Sequence, residues 1–335
     1  MGAIESFQPD CQRSTIRFSL VNDWQRDFPL VPRPFDAIAA ACLQPPKRVL
    51  EEFSDLLEDG TISRIGGVFG LNAGGAGLLC AMTVPPDRLP QVAARINAEP
   101  GVNHNYEREH AFNLWFVATA PSREAAQALV HRIEVATGTE VVSLPMRRAY
   151  RIDLGFDLRA GTGIDRNGIQ KAAVGAVPAT LRPLAARLEL GLPVDPRPFQ
   201  CIGADVGLSE NNVIDVLQHW TQDGILRRFG VIVRHHELGW ASNAMTVFSL
   251  PDAQIDAAGA RLAKQAGVHL CYRRETAANW PHNLYCMVHG RSRDEVIDLV
   301  NRATERSDLS AAPREVLFTG RRFKQTGSRY FAEAS

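Results

Sequence analysis

The chain repeats itself, and the repeat constrains everything else about it. Pro32-Arg33-Pro34-Phe35 recurs as Pro196-Arg197-Pro198-Phe199, an offset of 164 residues. At that offset Asp59-Gly60 matches Asp223-Gly224, Arg64 matches Arg228 and Gly66 matches Gly230. Ala81-Met82-Thr83 matches Ala244-Met245-Thr246 at offset 163, and Gly101-Val102 matches Gly267-Val268 at 166. Tyr106 and Arg108-Glu109 match Tyr272 and Arg274-Glu275 at 166, Asn113-Leu114 matches Asn283-Leu284 at 170, and Arg147-Arg148 matches Arg321-Arg322 at 174. The matches keep their order and the gaps are small, so two homologous halves follow, 16–155 and 179–335. Each half is domain-sized, which predicts a pseudo-two-fold molecule, an obligate dimer written as one chain. The join holds Gly155, Gly161, Gly163, Gly168 and Gly175 with little apolar periodicity, a linker composition.

Composition narrows the class. The 335 residues are 45% hydrophobic and 22% charged, with Lys+Arg and Asp+Glu both 37. That is a globular, formally neutral chain. The longest apolar stretch, Leu78 to Val84, is far short of the ~20 residues a spanning helix needs, so no membrane partner is expected. The N-terminal MGAIESFQPDCQR carries an acid and no apolar run, unlike a secretory signal. Cys11, Cys42, Cys80, Cys201, Cys271 and Cys286 form no CxxC pair and no zinc spacing, which points to reduced thiols and a cytoplasmic chain.

Each half reads as a helical domain and then an α+β domain. In the second half, Phe199 to Val206 predicts a short helix, Gly207 a break and Ser209 the cap of a second helix. Val213, Val216, Leu217 and Trp220 give that helix its buried face, Asp223-Gly224 stops it, and Leu226 to Arg234 is expected to turn back as a strand pair. Helix, turn, helix and wing make a winged helix-turn-helix. In the first half Pro45-Pro46 replaces the turn, and Lys47 to Asp59 is the second helix. A DNA-reading helix needs donors. The segment Ser209 to Trp220 has no Lys or Arg, and Lys47 and Arg48 are outnumbered by Glu51, Glu52, Asp55, Glu58 and Asp59, so no nucleic-acid partner is expected.

Beyond the wing the pattern alternates strand and helix. The predicted strands are Leu78 to Val84, Asn103 to Glu109, Asn113 to Thr119 and Val141 to Asp153, with helices Leu89 to Ala98 and Ser122 to Thr137. This is the ferredoxin-like βαββαβ plan. The fold class is therefore α+β, a tandem repeat of winged helix-turn-helix plus ferredoxin-like domain. The expected divisions are a tail 1–15, a winged helix 16–75, a ferredoxin-like domain 76–155, a linker 156–178, a second winged helix 179–238 and a second ferredoxin-like domain 239–335.

This two-domain unit resembles the Lrp/AsnC family. The resemblance narrows at His104-Asn105-Tyr106 ahead of Phe112-Asn113-Leu114-Trp115-Phe116, at Arg234-His235-His236-Glu237-Leu238-Gly239, and at Trp280-Pro281-His282-Asn283-Leu284-Tyr285-Cys286-Met287-Val288-His289. These segments are similar to the siroheme decarboxylases, an enzymatic branch of that family, in its fused two-subunit form. The resemblance spans about Phe35 to Phe331. It implies loss of carboxyl groups from two acetate side chains of siroheme, giving 12,18-didecarboxysiroheme for heme d1, with no cofactor beyond the iron the substrate carries. A transcription regulator and a tetrapyrrole carrier are the alternative readings.

The residue chemistry fits a polycarboxylate substrate. Arginine pairs carboxylates bidentately and keeps its charge. Arg147, Arg148, Arg234, Arg321 and Arg322 are the expected clamps, and Arg108, Arg273 and Arg274 lie in the histidine-bearing segments. Tyr106, Tyr272, Trp280 and His289 complete the expected substrate-binding set. Loss of CO₂ leaves a carbanion-like centre that must be protonated, a task for histidine. His104, His235 and His236 are the expected donors, with His104 or His235 a possible axial ligand of the substrate iron, while His110, His269 and His282 are left open. The halves are unequal. His104 aligns with Leu270, Gly70-Leu71-Asn72 stands where Arg234-His235-His236 does, and Trp280-Pro281-His282 lies in an insertion. One competent site, or two unequal ones, follows. A homodimer of the whole chain is also compatible with the sequence.

Overall fold

A computed structural model describes residues 8–70, 73–152, 156–157, 162–163, 175–233 and 242–331. The first half runs α1 (Gln8–Asp23), α2 (Pro34–Ala41), α3 (Pro46–Glu58), β1 (Ile62–Phe69), β2 (Ala76–Met82), α4 (Leu89–Ala98), β3 (Val102–Arg108), β4 (Leu114–Ala120), α5 (Arg123–Thr137) and β5 (Val142–Ile152). Two short strands, β6 (Phe156–Asp157) and β7 (Thr162–Gly163), pair in the segment expected to be linker. The second half runs from a 3-10 turn (Ala179–Leu181) through α6 (Arg182–Glu189), α7 (Pro198–Val206), α8 (Glu210–Gln222), β8 (Leu226–Val233), β9 (Ser242–Phe248), α9 (Asp252–Leu262), β10 (Val268–Arg274), β11 (Leu284–Gly290) and α10 (Arg293–Arg306) to β12 (Arg314–Gln325). The first helix starts inside the segment 1–15 expected to be a tail. No helix of the described residues is long and apolar enough to cross a membrane.

The chain divides into two units that do not follow the repeat. The helical parts of both halves, within 1–73 and 166–234, form one unit, and the α+β parts, within 74–154 and 235–335, form the other. Local chemistry sets the helices as expected. Pro34 and Pro198 open α2 and α7 at positions where a missing N–H costs nothing. Ser209 accepts from Asn212 N at the start of α8, and Ser122 and Ser292 do the same for α5 and α10.

The wing differs from its expectation. Among the described residues each half contributes one wing strand, and the two pair with each other. The first wing strand, β1, lies antiparallel to β8, with Gly66 opposite Gly230, its own counterpart in the repeat, so the pseudo-dyad passes between them. The segments before α2 and α7 are exchanged as well. Phe28 N donates to Phe229 O of the second half, and Leu192 N donates to Ile65 O of the first. A lone two-stranded hairpin is marginal in water, whereas this exchange pairs strand backbone on both sides.

The α+β unit is a closed barrel in the order β10-β11-β9-β12-β3-β4-β2-β5. Each half supplies a ferredoxin-like sheet of four strands. The last strand of each half bridges the sheets: β5 pairs with both β2 and β10, and β12 pairs with both β9 and β3. Outside the barrel, α4 and α5 pack on one sheet and α9 and α10 on the other, each over its own apolar cluster. A third cluster draws on both sheets and no helix: Ala81, Trp115, Val142, Leu144, Met245, Val247, Tyr285 and Leu317, with Trp280. It fills the lumen. The pleat follows from it, since Trp115, Val117 and Thr119 alternate inward on β4, and Tyr285, Met287 and His289 on β11.

The lumen corrects one match in the repeat. Leu79 pairs with Val117, and Met245 pairs with Met287, which occupies the same place in its sheet, so Leu79 and Met245 are the true counterparts. The Ala-Met-Thr triplets are three residues out of register, and Met82 and Met245 point to opposite faces.

Candidate active site

The strand directions give the barrel two different ends. The β3–β4 and β10–β11 hairpin tips and the starts of β5 and β12 share one end. The starts of β2, β9, β3 and β10 share the other.

The hairpin end is plugged. Trp280, 2% exposed, stacks edge-on against Trp115 at 5.1 Å and Phe112 at 5.5 Å. Its indole N–H donates to the Tyr285 hydroxyl at 2.6 Å, which donates to His282 O at 3.2 Å. Burial pushes the Tyr285 phenol up to about 12, so it stays a neutral donor. Around the plug, Glu315 takes His110 Nε2 at 2.5 Å and His282 Nε2 at 3.4 Å. His110 Nδ1 accepts from Phe112 N at 2.9 Å, and Ser249 Oγ lies 2.9 Å from His282 Nδ1. Glu315 therefore clasps one hairpin tip from each half.

Two arginines reach into the lumen from symmetry-related places. Arg108 on β3 and Arg274 on β10 are 6% and 9% exposed. Arg108 donates to Leu317 O at 3.0 Å and to Thr319 Oγ1 at 3.2 Å, and Arg274 donates to Leu144 O at 2.9 Å. Each guanidinium lies over a tyrosine, Tyr106 at 5.9 Å and Tyr272 at 5.3 Å, and each leaves its Nε–H without an acceptor. Neither meets a carboxylate among the described residues. Burial lowers Arg108 to about 10 and lowers Arg274 as well, so both stay cationic at neutral pH. A buried charge without a counter-ion costs several kcal/mol on the order of a broken buried pair, and an anion entering the lumen would offset it.

The other end carries the imidazoles. His104 on β3 pairs with Val117 and so shares the lumen face with Tyr106, its Nδ1 2.7 Å from Asn103 Oδ1. Burial pushes the Tyr106 phenol up to about 12. His269, 4% exposed, and His289 stand edge to face with ring centres 5.1 Å apart. Asn243, opposite His289 on β9, accepts from Thr319 Oγ1 at 2.7 Å.

The remaining expected residues scatter. Arg147 pairs with Glu275 at 3.0 Å, Arg148 with Asp256 at 2.8 Å, and Arg321 with Glu107 at 2.5 Å, all on exposed side chains. Arg322 sits opposite Tyr106 and donates to Gln325 Oε1 at 3.1 Å. Arg234, His235 and His236 lie outside the described residues.

The chain matches known proteins along most of its length. A model of the AsnC-like ligand binding domain matches residues 72–151 and 237–324, and one of the siroheme decarboxylase NirDL-like HTH domain matches 19–62 and 184–227. The siroheme decarboxylase NirDL subunit of Paracoccus denitrificans is 42% identical over 313 residues, 92% of this chain and 95% of that one. This chain belongs to the siroheme decarboxylase family. A crystal structure of the siroheme decarboxylase NirDL superposes with TM-score 0.68 at 26% identity, covering 94% of each chain. A second, of NirDL in co-complex with an iron-uroporphyrin III analogue, superposes with TM-score 0.66 at 26% identity, covering 96% of this chain and 95% of that one.

Within this decarboxylase, sequence reasoning ranked the arginines by recurrence, and recurrence does not report burial. Arg108 and Arg274 recur as faithfully as the doublets at Arg147 and Arg321, but they are buried in the lumen, whereas Arg147, Arg148 and Arg321 are exposed and pair with acids. The signal available was their position two residues beyond Tyr106 and Tyr272 on a strand whose inward face is aromatic. His269 could be found the same way, as the residue standing where the first half has Asn103.

Proposed function

We propose that this decarboxylase removes the carboxyl groups of two acetate side chains of siroheme, giving 12,18-didecarboxysiroheme for heme d1 formation. The observation that carries the reading is the lumen charge: Arg108 and Arg274, buried and without a carboxylate among the described residues. A polycarboxylate supplies what they lack. The family supports it, and so does the iron-tetrapyrrole analogue held by the related NirDL. Arg322, near the imidazole end, is a further clamp, with Arg234 beyond the described residues. Arg147, Arg148 and Arg321 bind substrate only by giving up Glu275, Asp256 and Glu107.

The chemistry needs a proton and an electron sink. The conjugated macrocycle takes the developing charge, and an imidazole finishes the methyl group. His104 faces the lumen and is the described member of the donor set His104, His235 and His236. No cofactor beyond the iron of the substrate is invoked. Anaerobic incubation with siroheme and mass spectrometry tests the reading: loss of two CO₂ is expected, and an unchanged mass overturns it. A DNA-binding role is disfavoured by α8, which carries no Lys or Arg.

A further inference from the structure

The barrel has two walls, and the repeat makes them directly comparable. Going round from β3 through β12, β9 and β11 to β10, one inward residue per strand gives Arg108, Thr319, Asn243, His289 and His269. Going round the other way, from β10 through β5, β2 and β4 to β3, the counterparts are Arg274, Met146, Gly77, Thr119 and Asn103. The arginine is common to both walls. Everything after it differs.

On the first wall hydrogen bonds join Arg108, Thr319 and Asn243, and two imidazoles in ring contact stand beyond them. Arg108 donates to Thr319 Oγ1 at 3.2 Å, Thr319 donates to Asn243 Oδ1 at 2.7 Å, Asn243 faces His289, and His289 stands 5.1 Å from His269. On the second wall Met146 and Gly77 interrupt any such chain. Its far end carries Asn103 and Thr119, where Asn103 Nδ2 donates to Thr119 Oγ1 at 3.0 Å, Thr119 Oγ1 donates to Gly101 O at 3.2 Å, and His104 Nδ1 lies 2.7 Å from Asn103 Oδ1. Asn103 and Thr119 are buried and hydrogen-bonded and are themselves without a titratable proton near neutrality, so His104 stands here as a single imidazole where the first wall has two.

We infer that the His269–His289 pair on the first wall is a further proton donor to the nascent methyl group, beside His104, and that Asn103 and Thr119, in the same places on the second wall, only hold the fold. This rests on the decarboxylase reading and adds a donor pair to it. In each turnover the bond from the acetate methylene to its carboxylate carbon breaks and CO₂ leaves. The electron pair stays on the methylene carbon, conjugated with the macrocycle. The imidazolium of the pair gives that carbon its proton, and solvent reprotonates the imidazole. No oxidant or reductant enters.

The second wall supplies its own control. His269→Asn with His289→Thr installs the pair that the same fold already buries at Asn103 and Thr119. The double variant should fold, bind siroheme with affinity changed less than about threefold, and lose at least about 100-fold in kcat. Val135→Ala, on the exposed face of α5, should leave kcat within about twofold. Siroheme binding is read by absorbance, the fold by circular dichroism, and turnover by mass spectrometry. Wild-type kcat in the double variant overturns the inference while the decarboxylase reading stands. An inactive wild type overturns the decarboxylase reading itself. If the double variant misfolds, His289→Gln alone decides: a kcat and pH profile matching wild type also overturn the inference.

Discussion

The helical unit and the barrel are built on the same repeat but have treated it differently. In the helical unit the symmetry survives in detail. Gly66 lies on Gly230, and Phe28 and Leu192 reach across to equivalent carbonyls. In the barrel the backbone register is kept while the inward side chains diverge, Asn103 to His269, Thr119 to His289, Met146 to Thr319. A surface that only has to hold itself together is served equally well by two copies of one solution. A lumen proposed to hold an asymmetric tetrapyrrole is not, because the edges of such a ligand differ around the wall.

The contrast can be broken most forcefully at the plug. Trp280 belongs to an insertion with no counterpart in the first half, and Trp280→Ala should cost about 3–5 kcal/mol in denaturant unfolding. A loss below ~1 kcal/mol would mean that the lumen does not depend on its asymmetric cap. In the helical unit the test is Gly230→Ala. The new Cβ would lie 2.4 Å from Gln25 O, backbone that cannot yield, whereas at Gly66 the nearest atom is Leu188 O at 3.2 Å. About 3 kcal/mol is expected for the first and about 1 kcal/mol for the second, read as midpoint shifts. Equal shifts would show the unit to be more symmetric than its packing.

Arg108→Met sharpens the charge argument. Removing an uncompensated buried cation should leave apo stability unchanged or raised, while siroheme affinity in an absorbance titration falls at least about tenfold. A destabilised apo protein with normal affinity would make Arg108 a strand fastener. The smallest effect is a pH slope at the clasp. Burial holds the His282 imidazole below its ordinary value, against the pull of Glu315. The unfolded chain therefore takes up this proton first, so stability should fall as pH drops through the ordinary imidazole range and below. His282→Gln should flatten that part of the stability–pH curve.

The sequence was most legible where spacing is local. The caps at Ser209 and Ser122, the alternation of β4 and the order of elements in each half are all set within a few residues, and the repeat restates most of them, Ser292 standing for Ser122 while Pro45 replaces Ser209. Pairing partners were not legible. Leu226 to Val233 carries the pattern of a strand, but nothing in that pattern says its neighbour is 164 residues away in the repeat rather than adjacent. The Ala-Met-Thr triplets misled for a related reason: small apolar residues match easily, and a three-residue slip reverses the pleat. At the site, the recurrence of Arg147-Arg148 drew attention to an exposed edge with its own acids, and the burial of Trp280 against Trp115 and Phe112 was not legible in an insertion that only one half carries.

The exchanged last strands have a consequence for how the protein is made. When β5 has left the ribosome, the half of it that belongs against β10 has no partner, and the outer edge of β3 waits for β12. At about 5–20 residues per second, translation of the second half leaves these edges open for roughly 10–35 s. During that interval the first half must be kept from other nascent copies of itself, and the emergence of β12, rather than folding of either half, is the moment at which the barrel can close.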